Sequence, residues 1–318
     1  MIDERLRGKL SLLEAAGLEL CVLFSFVSIW LNNQGLPTAF SDYTFFSNTM
    51  NGDFVNFYYA NWFIILFYPI FQLPFPIAAL LWNILNLIGL WAAARIFGGK
   101  LGLALLTYQA ICLMHYGQIG GIVAGGLALS WWGFTHKKFG WAGLGLLLAT
   151  CKFQTGMILA IYLWVIAPLT WRQRMQVLII PLAGSLLSLI LYPGWILELL
   201  QRINHHPPNS LASISLWQWI GPWALLIWVP ALFIPMLQQE RIIALASANC
   251  IALPYFQQVD LVSLFVHPIG WLPLIGNLGY LIIPFGWKIM PFLAIIPIIS
   301  YILVLTNPVK KLMASLFC

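Results

Sequence analysis

Two ionisable residues stand among apolar neighbours, where charge is expensive. Lys152, in Thr150-Cys151-Lys152-Phe153-Gln154, is the only basic residue in the block 139–171. A cation at membrane depth points to function unless its side chain can snorkel to an interface. Asp53 follows a glycine in Asn51-Gly52-Asp53-Phe54-Val55-Asn56-Phe57-Tyr58-Tyr59-Ala60. Alone it reads as the N-cap of an interfacial helix; opposite a cation it reads as a general base. Gln118, in His115-Tyr116-Gly117-Gln118-Ile119-Gly120-Gly121, carries donors and an acceptor on a turn whose glycines allow close backbone approach. The same turn reads equally well as glycine packing between short helices. Asp260 precedes His267 by seven residues, a spacing that shares one helical face and suits a hydrogen-bonding group lining a cavity. His205 and His206 lie in a late loop, and adjacent histidines make a poor metal site. Gln154, Tyr58, Tyr59, His115, Asp260, His205 and His206 join Gln118 as candidate substrate-binding groups. The spacings give no metal site, no cysteine pair, no P-loop and no dinucleotide fingerprint, so no metal and no cofactor is expected.

The elements that must position these residues are membrane helices. Hydrophobic residues make up 61% of the 318 and charged ones 8%, with a mean hydropathy of +0.89. Soluble domains carry about 25% charged residues, so lipid must surround most of this chain. No charge falls between Lys100 and Lys137, Arg174 and Glu198, or Arg202 and Glu240, gaps that suit spans of about 20 apolar residues. The net charge of +6 sits in small clusters between apolar runs, as the positive-inside rule expects, and does not suggest nucleic acid.

With Arg5, Arg7 and Lys9 in the cytoplasm, residues 1–16 form an inner segment. The run Leu18 to Leu31 is a retained first span, and 32–61 is a first outer loop holding Asp42 and Asp53 but no basic residue. A span near Pro76 to Ala94 returns to Arg95 and Lys100. The runs 101–114, 119–134, 139–151 and 155–169 follow, with outer turns at His115 to Gln118 and Lys152 to Gln154. Spans at 175–192, 222–237 and 242–257 lead to Asp260, and three short crossings lead to a tail at 307–318. A 14-residue run rises about 21 Å, less than the roughly 30 Å of hydrocarbon. The outer turns should therefore line a groove below the headgroups, because irregular backbone at that depth must be buried or face water. The expectation is one all-α integral membrane domain of about 10–12 helices, several short, with an interfacial helix in the first outer loop. Its base, buried cation and polar turns would converge on the outer side.

The order Gly-Asp-Phe-x-x-Phe-Tyr-Tyr-Ala at 52–60, Phe-Tyr-Pro-Ile-Phe at 67–71, Tyr-Gly-Gln-Ile-Gly-Gly at 116–121, Cys-Lys-Phe-Gln at 151–154 and Pro-Tyr-Phe-Gln-Gln-Val-Asp at 254–260 resembles glycosyltransferase family 87. These are polytopic GT-C enzymes typified by polyprenyl-phosphate-mannose-dependent α-mannosyltransferases. The resemblance spans about residues 40–265. It implies a multi-pass cell-membrane enzyme that inverts the anomeric centre and needs no nucleotide in its site. The donor would be a polyprenyl-phosphate sugar and the acceptor a glycolipid or glycan hydroxyl on the extracytoplasmic side. It further implies that Asp53 is the catalytic carboxylate, that Lys152 holds the donor phosphate, and that Gln118 and Gln154 contact sugar or phosphate. The chain departs from the pattern in its compact loops and in Thr155, where a proline often follows the glutamine. A non-catalytic subunit on the same scaffold is one alternative. A lipid or solute transporter is another, although no internal repeat is evident.

Overall fold

The structure, a computed structural model, describes residues 10–36, 38–49, 54, 57–205, 213–282 and 287–316, and the side chains of all of these except 282, 287–290 and 307–316. Helix α1 (Leu12–Asn33) begins at a capping box. The Ser11 hydroxyl accepts from the Glu14 N–H, and the Glu14 carboxylate accepts from the Ser11 N–H at 2.8 Å. After α2 (Ser41–Asn48) come α3 (Trp62–Phe71) and the long α4 (Phe75–Phe97). Then follow α5 (Leu101–Leu105), α6 (Tyr108–Tyr116), α7 (Gly120–Thr135), α8 (Phe139–Ala149), a π-helical turn (Phe153–Met157), α9 (Ile158–Ile166) and α10 (Trp171–Leu191). The last third holds α11 (Trp195–His205), α12 (Trp217–Ile220), α13 (Trp228–Phe233), α14 (Gln238–Ala252), α15 (Val262–Phe265), α16 (Leu278–Ile282) and α17 (Ile295–Leu316). Among the described residues there is no strand, only an isolated bridge between Ser213 and Gln257.

Among the described residues the fold is all-α, and the length and composition of its apolar helices suit a membrane. Helices α1, α4 and α10 are long and apolar enough to cross a bilayer; α6 and α7, bent by 105° at their junction, add a fourth if taken as one span. The sequence suggests about ten to twelve membrane helices, several of them short; among the described residues, five further apolar helices run 10–17 residues. Helix α10 buries Val177 and Ser188 while exposing Ile179, Leu182, Leu186 and Ile190, a surface suited to lipid. Glu14 pairs with Arg95 at 3.1 Å, which brings the start of α1 to the end of α4. The Arg174 guanidinium donates to the carbonyls of Trp164, Val165 and Ala167 and so closes the C-terminal end of α9.

Glycines set the central packing. A Cβ on Gly89 of α4 would stand 2.1 Å from the Gly121 carbonyl oxygen, and one on Gly125 would stand 2.6 Å from the Gly89 Cα. Helices α4 and α7 therefore meet backbone to backbone, as small residues permit in membranes. Helix α8 lies equally close on the other side of α7, where a Cβ on Gly145 would be 2.5 Å from the Ser130 nitrogen.

Three local expectations are corrected. The first outer loop does contain a helix, but it is α2; Phe57–Ala60 are not helical. Tertiary burial accounts for this, because Phe57, Tyr59 and Ala60 are buried and the Ala60 N–H is donated to the Cys151 carbonyl rather than to a helical turn. The span at 222–237 is a 3-10 segment (Gly221–Ile227) followed by the six-residue α13. Asp260 and His267 do not share a helical face. The 3-10 turn Gln258–Leu261 advances the chain by a tighter step than an α-helix. Asp260 then meets Lys152, while the His267 ring packs on Phe97 at 4.9 Å.

Gly89→Ala should lower stability by about 1–3 kcal/mol, because the new methyl overlaps a carbonyl that cannot rotate away. Gly140→Ala is the control, since its Cβ would approach no closer than 4.0 Å to Ile180. Thermal unfolding in detergent compares the two, and equal midpoints would contradict the packing described.

Candidate functional site

Three chain breaks converge. The first lies between α6 and α7, where Gly117 (φ 68°) ends one helix in the left-handed region and Gln118 turns inward. The break exposes backbone groups that α4 satisfies. Asn86 Oδ1 accepts from the N–H groups of Gly121 (3.0 Å) and Ile122 (3.2 Å), while its Nδ2 donates to the Gln118 carbonyl at 2.9 Å. Trp82 Nε1 donates to the Gly117 carbonyl at 2.8 Å, and Asn83 donates to that of Met114 at 3.1 Å. The second break runs from the end of α8 through extended Lys152 into the π turn. Gly156 is required there, since a Cβ would fall 1.9 Å from the Ala149 carbonyl oxygen. The third follows α14 and contains Tyr255 in the left-handed region (φ 59°), a conformation uncommon outside glycine.

The side chains at these breaks form one polar chain. Lys152 Nζ donates to Asp260 Oδ1 at 2.6 Å and to Gln118 Oε1 at 3.1 Å. Gln118 Nε2 donates to Asp42 Oδ2 at 2.5 Å, and the Tyr59 hydroxyl donates to Gln118 Oε1 at 3.3 Å. The ammonium also lies 5.7 Å from the centre of the Tyr59 ring. A cleft of about 150 Å³ opens beside this chain, lined by Asp42, Tyr58, Tyr59, Gln118, Lys152 and Gln154, with Phe45, Tyr255 and Gln257 among its other walls. Asp260 is buried behind the lysine (1% exposed) and its Oδ2 has no partner among the described residues. Burial pushes the Asp42 carboxyl up to about 6, against the opposing pull of Lys152 and the Gln118 hydrogen bond, with Asp260 adding to the rise.

No protein-family model matches the chain, and no curated protein or solved structure matches it. What the site can do is therefore read from its own geometry.

Of the residues singled out in the sequence, Lys152, Gln118, Gln154, Tyr58 and Tyr59 line the cleft and Asp260 backs it. His115 does not join them, because its Nδ1 is bonded to Ser28 at 3.0 Å and its ring packs on Tyr116. His205 is exposed at the last residue of α11. Asp53 and His206 lie outside the described residues. The sequence reading passed over Asp42, Tyr255 and Gln257 as site residues. Asp42 had a visible signal, being one of two carboxylates in an outer loop without a basic residue. Tyr255 had none, because a non-glycine left-handed backbone has no sequence mark.

Removing one partner of a buried ion pair strands the other charge, at a cost of about 3–5 kcal/mol. Asp260→Asn should therefore destabilise the protein strongly, whereas the double variant Lys152→Met/Asp260→Leu should recover most of the loss. Chemical unfolding in detergent measures both. An Asp260→Asn protein as stable as the parent would mean that the pair contributes nothing to the fold.

Proposed function

We propose that this chain is a membrane glycosyltransferase of the GT-C type. It would move mannose or another hexose from a polyprenyl-phosphate donor to an acceptor hydroxyl on the extracytoplasmic side, with inversion. The observation that carries the reading is the pairing, within one cleft, of a carboxylate and a buried ammonium bridged by Gln118. Glycosyl transfer needs these two charges on opposite sides of the anomeric carbon. A carboxylate takes the proton of the acceptor hydroxyl as its oxygen attacks. The bond from the anomeric carbon to the phosphate oxygen breaks, and the ammonium stabilises the charge left on the departing polyprenyl phosphate.

Asp42 suits the base, since a carboxyl titrating near 6 is ionised at neutral pH and still basic enough to accept a proton. The family resemblance places that role on Asp53, in the same loop. Lys152 has three N–H donors, of which Asp260 and Gln118 take two, leaving one for a ligand oxygen. Gln154 offers a buried side-chain oxygen with no partner among the described residues, an acceptor suited to a sugar hydroxyl.

A second reading draws on the Lys152–Asp260 pair itself. At 2.6 Å the ammonium is already neutralised, as in a structural subunit, and paired charges at broken helices also occur along transport pathways. Transfer activity separates the readings. With polyprenyl-phosphate mannose in nanodiscs, kcat/KM should fall as pH drops through about 6, where Asp42 takes up its proton. Asp42→Asn should remove that limb and cost on the order of 10²–10⁴ in rate. An acid limb that survives Asp42→Asn and disappears in Asp53→Asn would move the base to Asp53. No transfer to any acceptor hydroxyl would leave the subunit and transport readings.

A further inference from the structure

We infer that Tyr255 binds the sugar of the donor, its ring serving as the platform on which the transferred hexose lies. The inference rests on the donor class put forward above and names where in the cleft the sugar is held. Tyr255 lies in the left-handed region (φ 59°), where a side chain is strained and glycine is not. That strain is held from both flanks. The Leu216 N–H and the Ser215 hydroxyl both donate to the Ile251 carbonyl at 2.8 Å, and the Ile214 N–H donates to the Phe256 carbonyl at 2.9 Å. The segment 213–216 thus fixes the turn that leads from α14 to Asp260, and a glycine at 255 would make that turn at less cost. Backbone strain of this kind persists only where the surrounding structure over-determines it, and it gathers at sites of function.

Packing does not explain the ring. Two other described residues besides glycine are left-handed, Phe40 and Lys137. Phe40 is fully buried and packs edge-on against Tyr43 and Phe75, so the core accounts for it. Lys137 is exposed in the turn between α7 and α8. Tyr255 is half-buried, lines the cleft, and packs on no other aromatic ring among the described residues. Its neighbour in the cleft wall, Tyr59, is by contrast buried and stacked on Phe63. The Tyr255 phenol lies near enough to that of Tyr58, another cleft residue, to act on it electrostatically, which sets the ring at the cleft wall. The adjacent groups indicate what the ring would hold. Gln257 and Gln154 line the same cleft and carry amides. An aromatic face beside amides suits a pyranose, which offers an apolar C–H face to the ring and hydroxyls around its edge to the amides. A prenyl chain would use the ring and leave the amides unpaired, whereas a phosphate would use Lys152 and not the ring.

Calorimetric titration of the full chain in detergent with farnesyl-phosphate mannose tests this, with farnesyl phosphate as the ligand that lacks the sugar. Tyr255→Gly should bind farnesyl-phosphate mannose about tenfold or more weakly than the parent does, and farnesyl phosphate equally well. Its thermal unfolding midpoint should be no lower than the parent's, because glycine relieves the left-handed strain. Tyr255→Phe should keep most of the affinity, since the ring face remains. If Tyr255→Gly does not fold, Tyr255→Asn repeats the test, because asparagine also tolerates the left-handed region and has less backbone freedom than glycine. Parental affinity for farnesyl-phosphate mannose in the variant without the ring overturns the platform and leaves the proposed function standing. An equal loss of farnesyl phosphate binding does the same, since it would put the ring on the phosphate or the chain. Unfolding well below the parent in both Tyr255→Gly and Tyr255→Asn would make the ring a structural one and overturn the inference. A parent that binds farnesyl-phosphate mannose no more tightly than farnesyl phosphate would count against the donor class itself, and the platform falls with it.

Discussion

An unpaired backbone N–H or carbonyl in hydrocarbon costs several kcal/mol, and the structure depends on how that cost is met at one helix break. Between α6 and α7 the chain turns by 105°, which leaves the first N–H groups of α7 and the last carbonyls of α6 without helical partners. Helix α4 supplies the substitutes. Asn86 serves both sides of the break with one amide, and Trp82 and Asn83 take further carbonyls. Such closeness is possible because Gly89 and Gly121 let the helices touch. Without that clamp, Gln118 would have no fixed position, and the groups it joins would not be connected.

The amide of Gln118 is oriented by its neighbours. Its oxygen meets the Lys152 ammonium and the Tyr59 hydroxyl, and its nitrogen meets the Asp42 carboxylate. Inverting the group would set an N–H against an ammonium and an oxygen against a carboxylate, so one orientation is strongly favoured. The three polar groups therefore respond together. A proton gained by Asp42 weakens the acceptor that Gln118 donates to, and a ligand drawing on Lys152 changes the acceptor load on the same amide.

Much of this was legible in the sequence, for identifiable reasons. The apolar runs at 18–31 and 76–94 located α1 and α4, and the charge-free gap after Arg174 located α10, because an apolar run with few charges has few alternatives to a membrane. The breaks at Gln118 and Lys152 were legible because each polar residue stands beside glycine or at the edge of a short run. The partner of Lys152 was not, since Asp260 lies 108 residues away and its register depends on a 3-10 turn with no distinctive composition. The segment 57–60 was read as an interfacial helix from its aromatics, yet those rings are buried with Phe46, Phe63 and Trp82. Aromatic composition fits a membrane interface and an aromatic core equally well, and pairing across the fold decided between them.

The glycine contacts also divide the molecule mechanically. Helices that touch backbone to backbone have no side-chain layer in which to absorb displacement, so α4, α7 and α8 behave as one fixed jaw that carries Gln118 and Lys152. The chain on the far side, from α14 to Asp260, contributes the other wall; α14 contains no glycine and packs through side chains. The ion pair of Lys152 with Asp260 crosses the border between the two. It acts as a latch, and the same ammonium that would meet an incoming anion is the one that holds the jaws together.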